Sequence, residues 1–311
     1  MKKMIAMLLA VLTLCFGAAA MAESVPEADA AAEQAAEYSP GGFLLFGRDF
    51  DGKTADEVKS DIASYQSAAA VPMLIGADEE GGTVVRVSSN PLLRESRFAS
   101  PQRLYAEGGL DRIRSDTAEK DTLLLSLGVN VNLAPVCDIS SDSASFIYPR
   151  TLGGDATETS DFVRTVVQQM KTDRVGMVLK HFPGYGGTAD THTGQAVDER
   201  PLSAFQSCDL LPFEAGIDEG AQAVLVSHNI VTCMDTEYPA SLSPAVHELL
   251  RVLDAAAERL ADGLMTETDA EDGDFSAELL YDFLADAGVL RIAGAGREND
   301  VRGVQSLDFA D

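Results

Sequence analysis

The chain has 311 residues and a formal net charge of −27, because 50 acidic side chains stand against 23 basic ones. A surface this acidic repels phosphate backbones and anionic lipids, which excludes nucleic acid and anionic membrane surfaces as partners. Solubility of an exported protein accounts for such a charge without any acidic function. Beyond the first 40 residues the length, roughly 270 residues, suits one large domain or two small ones.

The first 22 residues have the pattern of a secretory signal peptide. Lys2 and Lys3 form a basic start, residues 4–16 form an apolar run, and small residues lead to a predicted cut after Ala22. The run is short for a membrane span, and no later stretch is long enough to be one. We therefore expect a secreted or periplasmic protein with no membrane span after cleavage, in preference to a lipoprotein joined at Cys15 or a retained anchor.

Cleavage would leave residues 23–40 at the start of the mature chain. This stretch is rich in Ala and Glu and has little apolar periodicity, which predicts a flexible tether or a frayed helix. Residues 41–311 are predicted to form the folded domain. Its cysteines are odd in number and lack zinc spacing, so buried free thiols are expected in place of disulfides; they are Cys137, Cys208 and Cys233.

Short apolar runs alternate with longer amphipathic stretches from residue 41 onward. The strand candidates are 43–46, 71–77, 129–136, 175–179 and 221–227, with weaker ones at 263–266 and 288–292. The helical candidates between them are 55–68, 110–127, 159–173 and 204–219. This alternation predicts an α/β fold with a parallel sheet. The number of units favours a TIM (β/α)8-type barrel over a doubly wound sheet, since no glycine-rich dinucleotide loop follows the first strand.

Polar residues come directly after each predicted strand. In chain order they are Arg48, Asp49, Asp78, Glu79, Glu80, Asp138, Lys180, His181, His228, Asn229, Glu267 and Asp269. Because the carboxyl ends of barrel strands share one face, we expect these side chains to converge on one cavity.

The segment from Lys180 to Asp198 contains one lysine, two of the chain's four histidines, two aspartates and four glycines. Asp190 stands two residues before His192, and a carboxylate bonded to one ring nitrogen raises the basicity of the other. Such a pair is a candidate proton donor and acceptor, although a surface loop could also contain it. Lys180 and His181 offer donors to a hydroxyl-rich or carbonyl-bearing ligand, or form a buried ion pair that closes the barrel.

Three further side chains suit an oxygen-rich ligand. Asp78 can accept two hydroxyl protons, and Arg86 and Arg150 can donate in pairs to ligand oxygens, although each alone could be structural. Metal binding is the alternative role for His181, His192 and His228. His181 and His192 are not spaced as zinc ligands, so no metal is expected.

Together these residues resemble glycoside hydrolase family 3, in its β-N-acetylhexosaminidase branch. The family signature, close to KHFPGHGxxxxDSH, is matched by residues 180–186 followed by Asp190 and His192. Residues 78–86 resemble the family's DQEGGxVxR. Further similar blocks are 132–138 to NFAPVxD, 150–153 to RxFG, and 226–243 to the block that follows. The resemblance runs from about Gly41 to Val252.

The resemblance implies a TIM barrel and a retaining glycosidase that needs no metal or organic cofactor. In this chain His192 would be the acid/base and Asp190 its partner. The residues that would hold the sugar are Asp78, Arg86, Arg150, Lys180 and His181. The nucleophile belongs after the seventh strand, where Glu267 stands in the position of the expected aspartate and Asp269 is the fallback.

The chain departs from the family pattern at three places. Tyr185 replaces the second histidine of the signature, and the loop to Asp190 is one residue shorter. The nucleophile block is also one residue short. No family-like first strand is identified before Gly41, so we expect a barrel that is incomplete there and divergent after Asp269.

The predicted function is an exported β-N-acetylhexosaminidase that removes terminal β-linked N-acetylglucosamine. Its partner would be an amino-sugar glycoside, with a cell-wall fragment as one candidate. Two alternatives remain open: a β-glucosidase or β-xylosidase of the same family, and a sugar-binding remnant without turnover.

Overall fold

The computed structural model describes residues 28–186, 188, 194, 196–262 and 289–291. The predicted signal peptide, the cleavage and lipidation sites and the strand candidate 263–266 lie outside these residues, so they stay predictions. Within the described ranges, no helix combines the length and apolar character that crossing a bilayer demands.

Six strands form one curled sheet in the order β1-β2-β3-β4-β6-β8. The strands are β1 (Gly42–Leu45), β2 (Leu74–Ala77), β3 (Val131–Asn132), β4 (Gly176–Phe182), β5 (Val197–Asp198), β6 (Ala223–Val226), β7 (Ile230–Val231) and β8 (Val289–Arg291). The first five sheet members pair in parallel, which confirms the predicted parallel α/β arrangement. They make a TIM-barrel-like half-barrel, and closure into eight strands stays a prediction.

Strand β8 departs from the expected direction. The predicted strand at 288–292 is present as Val289–Arg291, but it pairs antiparallel with β6. A parallel partner would extend the barrel, whereas an antiparallel one does not repeat the βαβ unit. The free edge of β6 offers unpaired N–H and C=O groups, which an extended segment can satisfy in either direction.

The helices lie between the strands in sequence. They are α1 (Ala28–Tyr38), α2 (Gly47–Phe50), α3 (Ala55–Ala68), α4 (Pro101–Leu127), α5 (Ala156–Asp173), α6 (Leu202–Ala204), α7 (Leu210–Asp218) and α8 (Pro244–Asp262). A π-helical turn, Phe205–Asp209, joins α6 to α7. Helix α3 begins at a capping box, in which the Thr54 side chain accepts from Glu57 N and the Glu57 carboxylate accepts from Thr54 N.

The prediction of a flexible tether at residues 23–40 is wrong for the part that the structure describes, which forms helix α1. Residues 28–38 are helical, and Ala35 is fully buried in a cluster with Val58 and Ile62. Ala31 and Ala32 pack against the same cluster. Ala31 and Ala32 precede Ala35 by four and three residues on one face of α1, and these small side chains let the helix approach α3 closely. The helix therefore buries apolar surface although it lacks large apolar residues.

The core lies on both faces of the sheet. In β4, Met177 and Leu179 belong to a large hydrophobic cluster that includes residues of helices α5 and α7. Val178 points to the other face of the sheet and belongs to a smaller cluster there. This alternation is the two-residue period of a strand. Lys180 therefore follows Val178 on the inner side. Of the cysteines, Cys137 is buried, Cys208 is half-buried and Cys233 is exposed, so the predicted burial is correct only for Cys137.

A buried carboxyl group lies between α4 and α5. Asp121 is fully buried, and in the described part of the chain neither of its oxygens accepts a hydrogen bond. Burial raises the pKa of Asp121 to about 8, and the charge of the neighbouring Asp173 carboxylate adds to the rise. Asp121 is therefore protonated in the folded protein at neutral pH.

Asp121→Asn should stabilise the protein at high pH. The unfolded carboxyl titrates near 3.8 and the folded one near 8, so the native state binds the extra proton and its stability falls as pH rises across that interval. We expect the melting temperature of the variant to exceed that of the unaltered chain by about 5 °C at pH 8 and to match it below pH 4, as measured by calorimetry. Asp111→Asn, an exposed change on the same helix, is the control. A pH-independent difference would contradict the burial argument.

Candidate active site

Lys180 is the centre of a buried charged cluster at the carboxyl ends of the strands. It stands in β4 and its side chain is 1% exposed. Its Nζ lies 2.7 Å from Asp78 Oδ1 and 2.6 Å from Glu80 Oε1. Both carboxylates follow β2, so the ammonium joins the ends of two strands that are not neighbours in the sheet.

Arg150 completes the cluster from a 3-10 turn, Tyr148–Arg150, after β3. Its Nε and one terminal nitrogen donate to the two oxygens of Glu80, at 2.9 and 2.7 Å. Burial raises the pKa of Glu80, but the Lys180 charge and the Arg150 hydrogen bonds outweigh it and bring the pKa to about 2. Glu80 is thus a permanent anion that fixes two cations.

His181 is held by a carboxylate on one ring nitrogen. Its Nδ1 lies 2.6 Å from Asp138 Oδ2, and Asp138 also accepts from the backbone N–H of Tyr185 at 2.7 Å. Burial lowers the pKa of His181; Asp138 opposes this, and the Arg150 and Lys180 charges add to the lowering. The imidazole is therefore neutral at pH 7, with its proton on Nδ1. Its Nε2 then accepts from Arg150, 3.2 Å away.

The departure at Tyr185 has a structural effect in the cluster. Its buried ring packs edge-on against the His181 ring, with centroids 5.5 Å apart and planes at 89°. It also meets Phe146 in a T-shaped contact at 4.9 Å. These contacts restrict the tilt of the His181 ring in addition to its bond with Asp138.

Asp78 and Arg86 form the open side of the cluster. Asp78 Oδ1 accepts from Lys180, while Oδ2 lies 3.5 Å from an Arg86 terminal nitrogen, beyond a good hydrogen bond. The Nε of Arg86 is buried and finds no acceptor among the described residues. Glu79 shapes this side, since its buried carboxylate accepts from the backbone N–H groups of residues 86–88.

The structure brings together the five predicted sugar-holding residues: Asp78, Arg86, Arg150, Lys180 and His181. The predicted catalytic residues Asp190, His192, Glu267 and Asp269 lie outside the described residues. Their roles stay predictions, as does the ligand of the cluster. His228 stands apart at the end of β6, exposed, with Nδ1 2.9 Å from Ser241 Oγ.

Sequence reasoning left Glu80 and Asp138 without a role. Both were visible as polar residues after strands, but nothing in the sequence distinguished them from Glu79. Glu80 ties Lys180 to Arg150, and Asp138 fixes the tautomer of His181. Glu80 stands two positions after Asp78, but Glu79 stands one position after it, so sequence position alone did not identify Glu80.

Solved structures share this architecture. A family 3 β-N-acetylglucosaminidase from Paenibacillus sp. strain FPU-7 superposes with a TM-score of 0.67 at 28% identity, over 73% of this chain and 44% of that one. A family 3 glycosyl hydrolase from Mycobacterium smegmatis gives 0.66 at 29%, over 73% and 68%.

Curated relatives are similar at the sequence level. A β-hexosaminidase of Xanthomonas campestris pv. campestris is 33% identical over 213 residues, 68% of this chain and 63% of the relative. One of Mycobacterium tuberculosis is 31% identical over 227 residues, 72% and 57% respectively. The chain thus matches less than two thirds of the length of these relatives.

The family comparison covers most of the chain. The profile described as the glycosyl hydrolase family 3 N terminal domain matches residues 8–253, and this match begins inside the predicted leader. It contains the whole charged cluster and both ends of the segment with the signature. The chain belongs to the family of glycosyl hydrolase family 3 N-terminal domains.

Proposed function

We propose that the protein is an exported glycosidase that removes terminal β-linked N-acetylglucosamine from an amino-sugar glycoside. The observation that carries the proposal is the cluster around Lys180, which is buried, rigid and open on the side of Asp78. The names of the relatives, β-hexosaminidases, support the amino-sugar preference. Export rests on the leader pattern of residues 1–22 alone.

The cluster matches a neutral, hydroxyl-rich ligand. It holds three cations (Arg86, Arg150, Lys180) and three carboxylates (Asp78, Glu80, Asp138), so its net charge is zero with His181 neutral. Hydrogen-bonding capacity remains on the side of Asp78: its Oδ2 lies 3.5 Å from Arg86 and can accept, and the buried Arg86 Nε has no acceptor among the described residues. Vicinal sugar hydroxyls both donate and accept, and so satisfy such a mixed set.

The chemical step is assigned from the signature. His192, oriented by Asp190, protonates the leaving oxygen while Glu267 attacks the anomeric carbon and forms a glycosyl ester; His192 then deprotonates a water that attacks the same carbon and releases the Glu267 carboxylate. Asp269 is the fallback nucleophile. The fixed charges around Lys180 hold the sugar ring during both steps, since small displacements of reacting atoms are costly.

A sugar-binding remnant without turnover is the second candidate. The shortened block with glutamate at position 267 favours it, because the extra methylene moves the carboxylate by roughly an ångström. The cluster around Lys180 would bind sugar in either case, so the two candidates differ only in turnover.

The first test is release of chromophore from an aryl β-N-acetylglucosaminide. We expect turnover by the unaltered chain and a fall in kcat of about 10²–10⁴-fold for His192→Ala, because proton transfer to the leaving group is lost. His247→Ala, on helix α8, is the matched control and should keep full activity. Release only from β-glucosides or β-xylosides would identify the alternative enzyme, and no release from any of them would leave only the remnant.

The second test concerns the sugar pocket. Asp78→Asn removes the anionic acceptor and should weaken N-acetylglucosamine binding by roughly 10–100-fold, as followed by thermal stabilisation or calorimetric titration. Asp111→Asn removes an equal charge from an exposed helix position and should bind normally. Unchanged affinity in Asp78→Asn would mean that the cluster does not hold the sugar.

The third test identifies the nucleophile. A 5-fluoro-N-acetylglucosaminyl fluoride slows the second step and lets the glycosyl-enzyme accumulate, which adds one glycosyl unit to the intact mass. Peptide mapping should locate the label on Glu267. Labelling of Asp269 would transfer the role to the fallback, and Glu267→Gln should then still be labelled.

A further inference from the structure

A second ion cluster, formed by the partly exposed Arg200 and two buried aspartates, lies beside the segment that bears the signature. Arg200 donates from Nε to both oxygens of Asp198 at 3.0 Å, and from its terminal nitrogens to Asp209 at 2.9 and 3.0 Å. Both carboxylates are 2% exposed. The guanidinium also lies 4.4 Å from the Phe205 ring centroid, so it is fixed by charge on two sides and by an aromatic face.

The chain that leaves β4 lies directly on this cluster. A Cβ on Gly186 would come within 2.5 Å of an Arg200 terminal nitrogen, and one on Gly184 within 2.6 Å of Asp209 Oδ1. Both glycines have positive φ, at +56° and +124°. The start of the segment can therefore pack against the ion cluster only because these residues have no side chain.

The end of the segment is fixed by the same arginine. Asp198, which Arg200 binds, is the last residue of β5, and β5 pairs in parallel with β7. Ile230 N donates to Ala196 O at 2.9 Å, and Thr232 N donates to Asp198 O at 2.9 Å. Arg200 thus contacts the chain on both sides of residues 187–197.

The two clusters have separate hydrogen bonds. Among the described residues, no hydrogen bond joins Arg200, Asp198 or Asp209 to the five side chains predicted to hold the sugar. The connection between them is the backbone at Tyr185, whose N–H donates to Asp138. We therefore expect a change at Arg200 to leave the sugar-holding side chains in place.

We propose that Arg200 is a positioning residue for catalysis, which clamps both ends of residues 187–197 and so sets the placement of the Asp190–His192 pair. This inference rests on the proposed function. Arg200 acts through Gly186 and Asp198 and does not bind the sugar. A shift of the segment by about 1 Å would impair proton transfer and leave sugar binding intact.

The test compares leaving groups in a variant that keeps every charge. Gly186→Ala places a methyl group against the guanidinium. For a methyl glycoside of N-acetylglucosamine, whose leaving group requires a proton, we expect kcat/KM, which reports the first step, to fall by roughly tenfold or more. For the 2,4-dinitrophenyl glycoside, whose leaving group departs unprotonated, kcat/KM and the affinity for N-acetylglucosamine should change less than about twofold. Arg200→Lys, which keeps the charge but loses the paired geometry, should show the same leaving-group dependence.

Gly52→Ala is the matched control. Gly52 also has positive φ, +71°, but nothing lies within 4 Å of its Cβ position, so the variant carries the backbone strain without the contact. Its activity on both glycosides should equal that of the unaltered chain.

Two outcomes would overturn the clamp. Equal losses on both glycosides, in proportion to lost thermal stability, would show a purely structural role. Unchanged activity in both Gly186→Ala and Arg200→Lys would show no role at all. If the unaltered chain hydrolyses neither glycoside, the proposed function itself fails, and the catalytic role of Arg200 fails with it.

Discussion

The ammonium of Lys180 between Asp78 and Glu80 is the interaction on which the site depends. It lies inside the sheet with 1% of its side chain exposed, and it bonds two carboxylates at 2.7 and 2.6 Å. Removal of one partner from such a buried group typically costs about 3–5 kcal/mol, because a bare charge remains. The ends of β2 and β4 and the turn bearing Arg150 are therefore held in one relative position by charge.

The charge balance of the cluster around Lys180 differs from that of the whole molecule. The protein carries a formal charge of −27, yet the cluster is balanced, with Glu80 shared between Lys180 and Arg150. Inside, every cation has a carboxylate partner, which satisfies the requirement that buried charges be paired.

The glycines of the signature have a steric explanation. Gly184 and Gly186 lie between the Lys180 cluster and the Arg200 cluster, and any side chain at either position would collide with a charged group. Tyr185 between them is anchored by its backbone to Asp138 and by its ring to His181. The bond to Asp138 comes from the backbone of Tyr185, so it does not depend on which side chain stands at this position.

The sequence by itself determined the parallel α/β order, because strand and helix periods alternate, and it located the polar residues that follow each strand. It also placed Asp78, Lys180 and His181 together, since strand ends share one face of the sheet, whereas Arg86 and Arg150 joined them through the family resemblance. Only the tertiary structure decided which carboxylates pair with which cations, that residues 28–38 form a packed helix, and that β8 runs antiparallel. These depend on contacts between residues far apart in the chain, such as Asp78 with Lys180 and Asp138 with His181, and local periodicity contains no information about such distances.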